Sequence, residues 1–169
     1  MHAHTHALIA LALGAALCGA ASAAESAVWS RPTLTPQAAL AAAQAAQAEC
    51  RKRGWQVTVS VTDASALPLV LLRDRFAGWH TIDAATDKAR TAASWRGDTA
   101  ALAHRVLRAD APERAVEHIR GVLMLGGGLP MEAAGQVVGA IGVAGAPALD
   151  DDVICARAGI AAIADELAF

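Results

Sequence analysis

The amino-acid sequence predicts an α+β domain in which a five-stranded antiparallel sheet is flanked by helices. Val57, Val59 and Val61 alternate with polar residues, a period of two that is typical of a strand with one buried face. Three further short apolar segments follow residue 121 and are separated by glycines, which indicates strands joined by turns. Alanine-rich helical segments precede, divide and follow these strands. This arrangement favours an antiparallel sheet covered by helices.

The first half of the domain is predicted to begin with a helix and a β-hairpin. Thr35 is suited to cap a helix and Pro36 to its first position, and Gly54 ends the stretch rich in alanine and glutamine that follows. A polar break at residues 63–65 separates the valine strand from an almost continuously apolar run, in which Pro68 indicates an edge strand. The predicted elements are a helix over 36–53 and strands over 55–62 and 67–73.

The second half is predicted to contain two helices, three strands and a closing helix. Thr81 is suited to cap the first of these helices, and either Asp98 or Thr99 is suited to cap the next. Three aspartates at 150–152 stand where acidic side chains complement the free amides of a helix start. The predicted elements are helices over 82–95 and from 98 or 99 onward, a short helical turn after Pro112, strands over 121–125, 129–133 and 136–143, and a helix over 150–167.

The N-terminus is predicted to be a signal peptide. An apolar run at residues 7–17 is too short to span a bilayer, and Ala21, Ser22 and Ala23 fit the small residues of a leader-peptidase site. We therefore expect cleavage after Ala23 and a periplasmic or secreted protein. The predicted organisation is a signal peptide at 1–23, a flexible N-terminal arm at 24–33 and a single domain at 34–169.

The charge pattern argues against a nucleic-acid partner, because 14 basic residues are scattered among 16 acidic ones and the formal net charge is −2. Beyond the leader no apolar stretch of the sequence reaches membrane-spanning length, so we expect no membrane association after signal cleavage. Cys50 and Cys155 remain after cleavage, and an oxidising periplasm would allow them to pair if their helices meet. The sequence leaves this pairing open.

Three segments of the sequence carry a family resemblance: DKARTAA at 87–93, GGLP at 127–130 and GQVVGAIGVAGA at 135–146. Together with the opening helix from Leu34 and the closing segment 151–162, they resemble the GlcG/HbpS family of haem-binding proteins over nearly the whole mature chain. The resemblance implies a profilin-like, five-stranded sheet, assembly into homo-oligomers, and haem binding in some members. It supports the fold more strongly than the function.

Haem binding requires an apolar slot, an axial donor such as imidazole or thioether, and cations for the propionates. His80, in the loop before a helix, and His118, two residues before Arg120, are the axial candidates. Each of the two histidines also fits an ordinary solvated surface position. Weaker candidates are His104, Met124 and Met131.

Three further residues are candidate contacts of a haem cofactor or another small ligand. Lys88 and Arg90 lie on the helix that carries the family motif and would attract a carboxylate, although a spacing of two residues directs them to different sides. Ion pairing of these cations with Asp83 or Asp87 is the alternative. Thr99 stands at a helix start where its hydroxyl is a possible ligand contact, but helix capping explains it equally well.

No catalytic apparatus is recognisable in the sequence. The glycines at 126–128 precede a strand instead of the helix that a phosphate loop requires, and the sequence has no zinc-site spacing, nucleophile elbow or EF-hand. We therefore expect an exported protein that binds a small ligand, with haem as the first candidate, and enzymatic activity is not predicted. The alternatives are an enzyme or accessory factor for a small hydroxy or oxo acid such as glycolate, and an oligomeric assembly module without a ligand.

Overall fold

The computed structural model describes residues 26–28 and 30–168, so the predicted signal peptide lies outside the described residues. The compact unit begins at Arg31. Its elements in chain order are α1 (Pro36–Lys52), β1 (Thr58–Asp63), β2 (Pro68–Arg73), α2 (Thr81–Trp95), α3 (Thr99–Val106), a 3₁₀ helix (Pro112–His118), β3 (Gly128–Ala133), β4 (Gln136–Ala144), α4 (Leu149–Ala161) and α5 (Ala164–Leu167).

The sheet is antiparallel with the strand order β2-β1-β4-β3, so the predicted α+β class is confirmed and Pro68 does lie on an edge strand. The prediction of five strands is wrong, because the described residues form a four-stranded sheet and segment 121–125 is irregular. The Leu123 amide donates to the Thr91 hydroxyl, and the Leu125 carbonyl accepts from the Thr99 hydroxyl. Helical threonines thus satisfy backbone groups that a strand would have paired with β3.

The central strand β1 is buried on both faces, which corrects the expectation of one buried face. Its valines pack with α1 and α4 in the main hydrophobic cluster, while Thr58 and its polar neighbours face α2, and all of these side chains are fully buried. The polar face carries small residues because α2 lies directly on the sheet. A Cβ atom built on Gly142 of β4 would lie 2.0 Å from the Ala85 carbonyl oxygen of α2.

Helices α1 and α4 cover the valine face of the sheet and are joined covalently. Cys50 and Cys155 are both fully buried and form a disulfide with a Cα–Cα distance of 5.6 Å, which settles the pairing that the sequence left open. Gly159 permits this close packing, since a Cβ atom there would lie 2.7 Å from the Ala42 carbonyl oxygen. The predicted single closing helix is in fact two, because α4 ends at Ala161 and α5 follows.

The helix starts are fixed by local hydrogen bonds. Asp98, one of the two predicted caps, accepts hydrogen bonds from the amides of Ala100 and Ala101 at the start of α3. Thr81 is the first residue of α2 and not its cap, because its hydroxyl bonds to the Gly78 carbonyl and to the hydroxyl of Thr58. The predicted N-terminal arm ends where the Leu34 amide donates to the Val138 carbonyl of β4. In the part of the chain that the structure describes, no helix is long and apolar enough to cross a membrane.

Candidate functional site

The two predicted carboxylate-binding cations lie on different sides of α2, as their spacing predicts. Lys88 points into the protein and is 2% exposed, whereas Arg90 is half-buried at the surface. Of the two, only Arg90 lines a cavity described below. The sequence-based hypothesis that both side chains hold one ligand therefore has geometric support for Arg90 alone.

Lys88 forms a buried ion pair between α2 and the start of α4. Its Nζ donates to Asp152 Oδ2 at 2.8 Å and to the Val143 carbonyl at 3.0 Å, and Asp152 Oδ1 accepts from the Ala146 amide. Desolvation by burial raises the pKa of the Asp152 carboxyl, and the Lys88 charge offsets this effect only in part. The partner of Lys88 is thus Asp152 rather than Asp83 or Asp87, and the pair holds two elements together.

Thr99 is fully buried and organises the glycine loop before β3. Its hydroxyl contacts the Leu125 carbonyl and accepts from the Gly128 amide at 2.9 Å. A Cβ atom on Gly128 would lie 2.5 Å from both the Lys88 carbonyl and the Thr99 side chain, so only glycine fits there. The structure therefore gives Thr99 protein partners, and the cap of α3 is the preceding Asp98.

A surface cleft of about 360 Å³ lies between the C-terminal half of α2, segment 119–122 and the β1–β2 turn. Arg90 and Ser94 contribute to it from one face of α2 by their i, i+4 spacing, and Trp95 is the last residue of the helix. Segment 119–122 turns over the helix at Gly121, which has a φ of 82°. The residues lining the cleft are Ala66, Arg90, Ser94, Trp95, Ile119, Arg120, Gly121 and Val122.

Two arginines, Arg90 and Arg120, give this cleft a positive charge beside its apolar lining residues. Arg90 Nη1 lies 3.3 Å from Asp87 Oδ1, a partly exposed ion pair that leaves its remaining N–H groups available. Arg120 takes part in no ion pair among residues 26–28 and 30–168. The pair of cations matches a ligand that carries carboxylates on an aromatic or aliphatic body.

His118 is the histidine placed nearest in sequence to the cleft, because it ends the 3₁₀ helix immediately before Ile119. Its side chain is 81% exposed, and Nε2 lies 3.7 Å from a carboxylate oxygen of Glu117. His80 is exposed at the opposite end of α2, and ten helical residues place it roughly 15 Å from Arg90 along the axis. The structure therefore places His118 next to a lining residue in sequence and separates Arg90 from His80.

Other parts of the molecule fit an anionic ligand less well. A cavity of about 310 Å³ between Pro32–Thr35 and α5 is lined by apolar groups and by Glu166, whose carboxylate repels an anion. His104 is exposed on α3. Within the described ranges no group of three or more His, Cys, Asp or Glu side chains is arranged to hold a metal ion. The cleft with Arg90 and Arg120 is the site that the chemistry favours.

Residues 34–161 match the family described as haem degrading protein HbpS-like. The chain belongs to the HbpS-like family. The match spans α1 to the end of α4 and so includes every element that lines the cleft. It confirms the resemblance inferred from the three sequence segments.

Solved structures of HbpS-like proteins are similar over most of the chain. A double mutant of HbpS from Streptomyces reticuli is 38% identical, with a TM-score of 0.75 over 93% of this chain and 97% of that chain. A second HbpS structure is 41% identical, with a TM-score of 0.75 and coverages of 80% and 93%. A PduOC–haem complex is 27% identical, with a TM-score of 0.72 and coverages of 78% and 95%. No curated protein sequence matches this chain.

The sequence did not reveal which residues line the cleft. Arg120 was noted only as a neighbour of His118, and nothing local indicated that it would lie beside Arg90, 30 residues earlier. Trp95 gave no helical-face signal, because a residue that directly follows Ser94 does not share the face of Arg90 and Ser94. Asp152 gave no such signal, because it lies 64 residues from Lys88.

Proposed function

We propose that this HbpS-like protein binds haem in the cleft between α2 and segment 119–122. The observation that carries the proposal is that Arg90 and Arg120 line one cleft together with the apolar side chains of Trp95, Ile119 and Val122. A haem edge presents two carboxylates beside an apolar ring, and this chemistry complements the positive charge and apolar lining of the cleft. The family description and the haem complex of the similar protein PduOC support the same ligand.

In this proposal each residue has a separate task. Arg90 and Arg120 would hold the propionates by charge-assisted hydrogen bonds, and Ile119 and Val122 would contact the apolar ring. His118 would offer its imidazole to the iron, and His80, at the other end of α2, is the alternative donor. Haem, when bound, supplies the iron chemistry.

The residues present fit the polar edge of haem better than its whole ring. The cleft volume of about 360 Å³ lies near the lower end of the range of roughly 300–1,000 Å³ for pockets that enclose small molecules. Haem therefore requires either additional space beside the cleft or a second subunit above it. The assembly of this protein into homo-oligomers, implied by the family resemblance, is part of the proposal.

We also propose that the protein acts after export to the periplasm or the medium. The buried disulfide between Cys50 and Cys155 supports this location, because such bonds form and persist in oxidising compartments. Mass spectrometry of the protein recovered from the periplasm of its host tests this part. We expect a chain that begins at Ala24, and a chain that retains residues 1–23 in the cytoplasm contradicts it.

Titration of the purified protein with haemin tests the ligand. We expect a saturable shift of the Soret band, and we expect Arg90→Ala with Arg120→Ala to lower the affinity by at least about tenfold, since each removes a charge-assisted hydrogen bond. His118→Ala is expected to change the visible spectrum of the bound haem. The absence of a saturable shift in the wild-type protein overturns the proposal.

Matched controls use residues of the same type outside the cleft. Arg108→Ala removes an exposed arginine paired with Asp110, and His104→Ala removes an exposed histidine of α3. Both variants are expected to bind haemin like the wild type. A parallel titration with glycolate separates the remaining alternative: binding of glycolate without haemin, lost on removal of the two cleft arginines, would favour a protein that acts on small acids.

A further inference from the structure

Trp95 borders two cavities of the molecule. One is the haem cleft proposed above, and the other is a cavity of about 290 Å³ between α3 and the 3₁₀ helix, lined by Arg105, Val106, Glu113 and Val116 as well as Trp95. Trp95 is the residue common to the linings of both cavities. An indole in both linings would form a wall between them.

The backbone beneath this wall is fixed while the indole lies at its edge. Trp95 is the last residue of α2, and Arg96 ends the helix in the left-handed conformation with a φ of 52°. The indole is partly exposed and packs against a small cluster formed by Leu102, Val106 and Met124. A change of its side-chain rotamer would open the wall without moving α2.

The outer cover of both cavities has little to hold it in place. None of the seven residues of the 3₁₀ helix is buried, and Ile119 after it is 53% exposed. Segments with few buried apolar contacts open at low free-energy cost. The cover can therefore move outward while the main core between the sheet, α1 and α4 remains packed.

The charges around the two cavities indicate how a ligand would be oriented across them. Arg90 and Arg120 lie at the first cavity, whereas the second adds Val106 and Val116 together with an arginine and a glutamate of opposite charge. A dianionic planar molecule would place its carboxylates at the first cavity and extend its apolar body toward the second.

We infer that Trp95 sets the size of the ligand that this site accepts, because its indole divides a longer groove into two short cavities. The inference rests on the proposed function for the identity of the large ligand, but the division of the groove stands on the geometry. Small carboxylates occupy the first cavity with the indole in place. Large planar anions require its displacement.

The test compares Trp95→Ala with Trp79→Ala, which removes a tryptophan that is 79% exposed in the loop before α2. The probes are haemin, glycolate and the aromatic anion 8-anilinonaphthalene-1-sulfonate. We expect Trp95→Ala to bind the naphthalene sulfonate and haemin at least about tenfold more tightly than the wild type. The gain for glycolate is expected to be smaller, because a small acid does not reach the second cavity. Trp79→Ala is expected to behave like the wild type with all three probes.

Cooperative thermal unfolding must first establish that the variant is folded, and Trp95→Leu replaces it if Trp95→Ala is not. A folded variant whose affinities for both large probes equal or fall below those of the wild type overturns the inference. Tighter binding of the naphthalene sulfonate with no haemin binding by either protein keeps the role of Trp95 and removes haem as the ligand. Weaker binding of haemin alone would assign the indole to stacking and also overturns the inference.

Discussion

The Lys88 ammonium lies 2.8 Å from the Asp152 carboxylate, with both side chains at least 96% shielded from solvent. This pair joins the middle of α2 to the first turn of α4, and the Lys88 ammonium also donates to the end of β4. Buried pairs balance a large desolvation cost against mutual attraction, so the consequence of removing one partner depends on which charge remains.

Lys88→Met is expected to destabilise the protein by about 3–5 kcal/mol, because it leaves a buried carboxylate without its cation. Asp152→Asn also leaves a buried charge, on Lys88, but it is expected to cost less because the asparagine oxygen can still accept a hydrogen bond from the Lys88 ammonium. Urea unfolding at pH 7 measures both free energies. A larger loss for Asp152→Asn than for Lys88→Met contradicts this account.

The pH dependence of stability follows from the raised pKa of Asp152. Its folded-state pKa lies above its ordinary value of 3.8. Between pH 3.8 and the folded-state pKa, the folded state therefore binds more protons than the unfolded state. The contribution of this group to stability is therefore fully present below pH 3.8 and is lost as pH rises through the folded pKa. Urea unfolding of the wild type and Asp152→Asn at several pH values measures it. We expect the free energy of unfolding of the variant to increase relative to that of the wild type as pH rises. The opposite trend would contradict a raised pKa for Asp152.

Gly142→Ala is expected to destabilise the protein by about 3 kcal/mol or more, at the upper end of overpacking effects. The added methyl group would meet backbone atoms of Ala85 and Ala89, and neither can move without shifting α2 away from the sheet. Gly97→Ala is the matched control, because a Cβ atom there makes only ordinary contacts beyond 3.8 Å. We expect that variant to lie within about 1 kcal/mol of the wild type by chemical unfolding. Equal losses for the two variants would argue against close packing of α2.

Reduction of the disulfide is expected to lower the free energy of unfolding by about 2–5 kcal/mol, because the disulfide closes a loop between cysteines that are 105 residues apart in sequence. Both cysteines are fully buried, so we expect dithiothreitol to reduce the bond slowly unless denaturant is also present. Thiol counting against time, with and without urea, measures this protection. Cys50→Ala with Cys155→Ala is the control and should show no response to the reductant. Rapid reduction of the native protein would contradict the packing between α1 and α4.

Most helices and strands were predictable because the signals that set them are local. Helix α1 was predicted over 36–53 and spans Pro36–Lys52; strand β4 was predicted over 136–143 and spans Gln136–Ala144. The prediction of a strand over 121–125 was wrong because the apolar composition of this segment suits either a strand or an irregular buried stretch. Two hydrogen bonds decide between them: the Thr91 hydroxyl accepts from the Leu123 amide and the Thr99 hydroxyl donates to the Leu125 carbonyl, although these threonines lie about 30 residues away in sequence.

The candidate site was predictable only in part. A cation on α2 for a carboxylate could be inferred from the motif at 87–93, but the sequence did not distinguish Lys88 from Arg90. The choice depends on Asp152 and the Val143 carbonyl, which approach α2 from α4 and β4 and draw Lys88 inward. Arg90 then remains at the surface, where the chain returns after the 3₁₀ helix and places Arg120 beside it.

By itself the sequence determined the order of the helices and most strands, the α+β class and the family, because caps, turns and hydrophobic periods act over a few residues. Only the tertiary structure decided which cation is buried, at which glycine a helix packs directly against the sheet, and which residues line a cleft. Those properties arise from the approach of segments 30 to 64 residues apart, such as Arg90 and Arg120 in the lining of one cleft and Lys88 paired with Asp152. The chain must be packed before desolvation and close approach can select among residues that look alike in sequence.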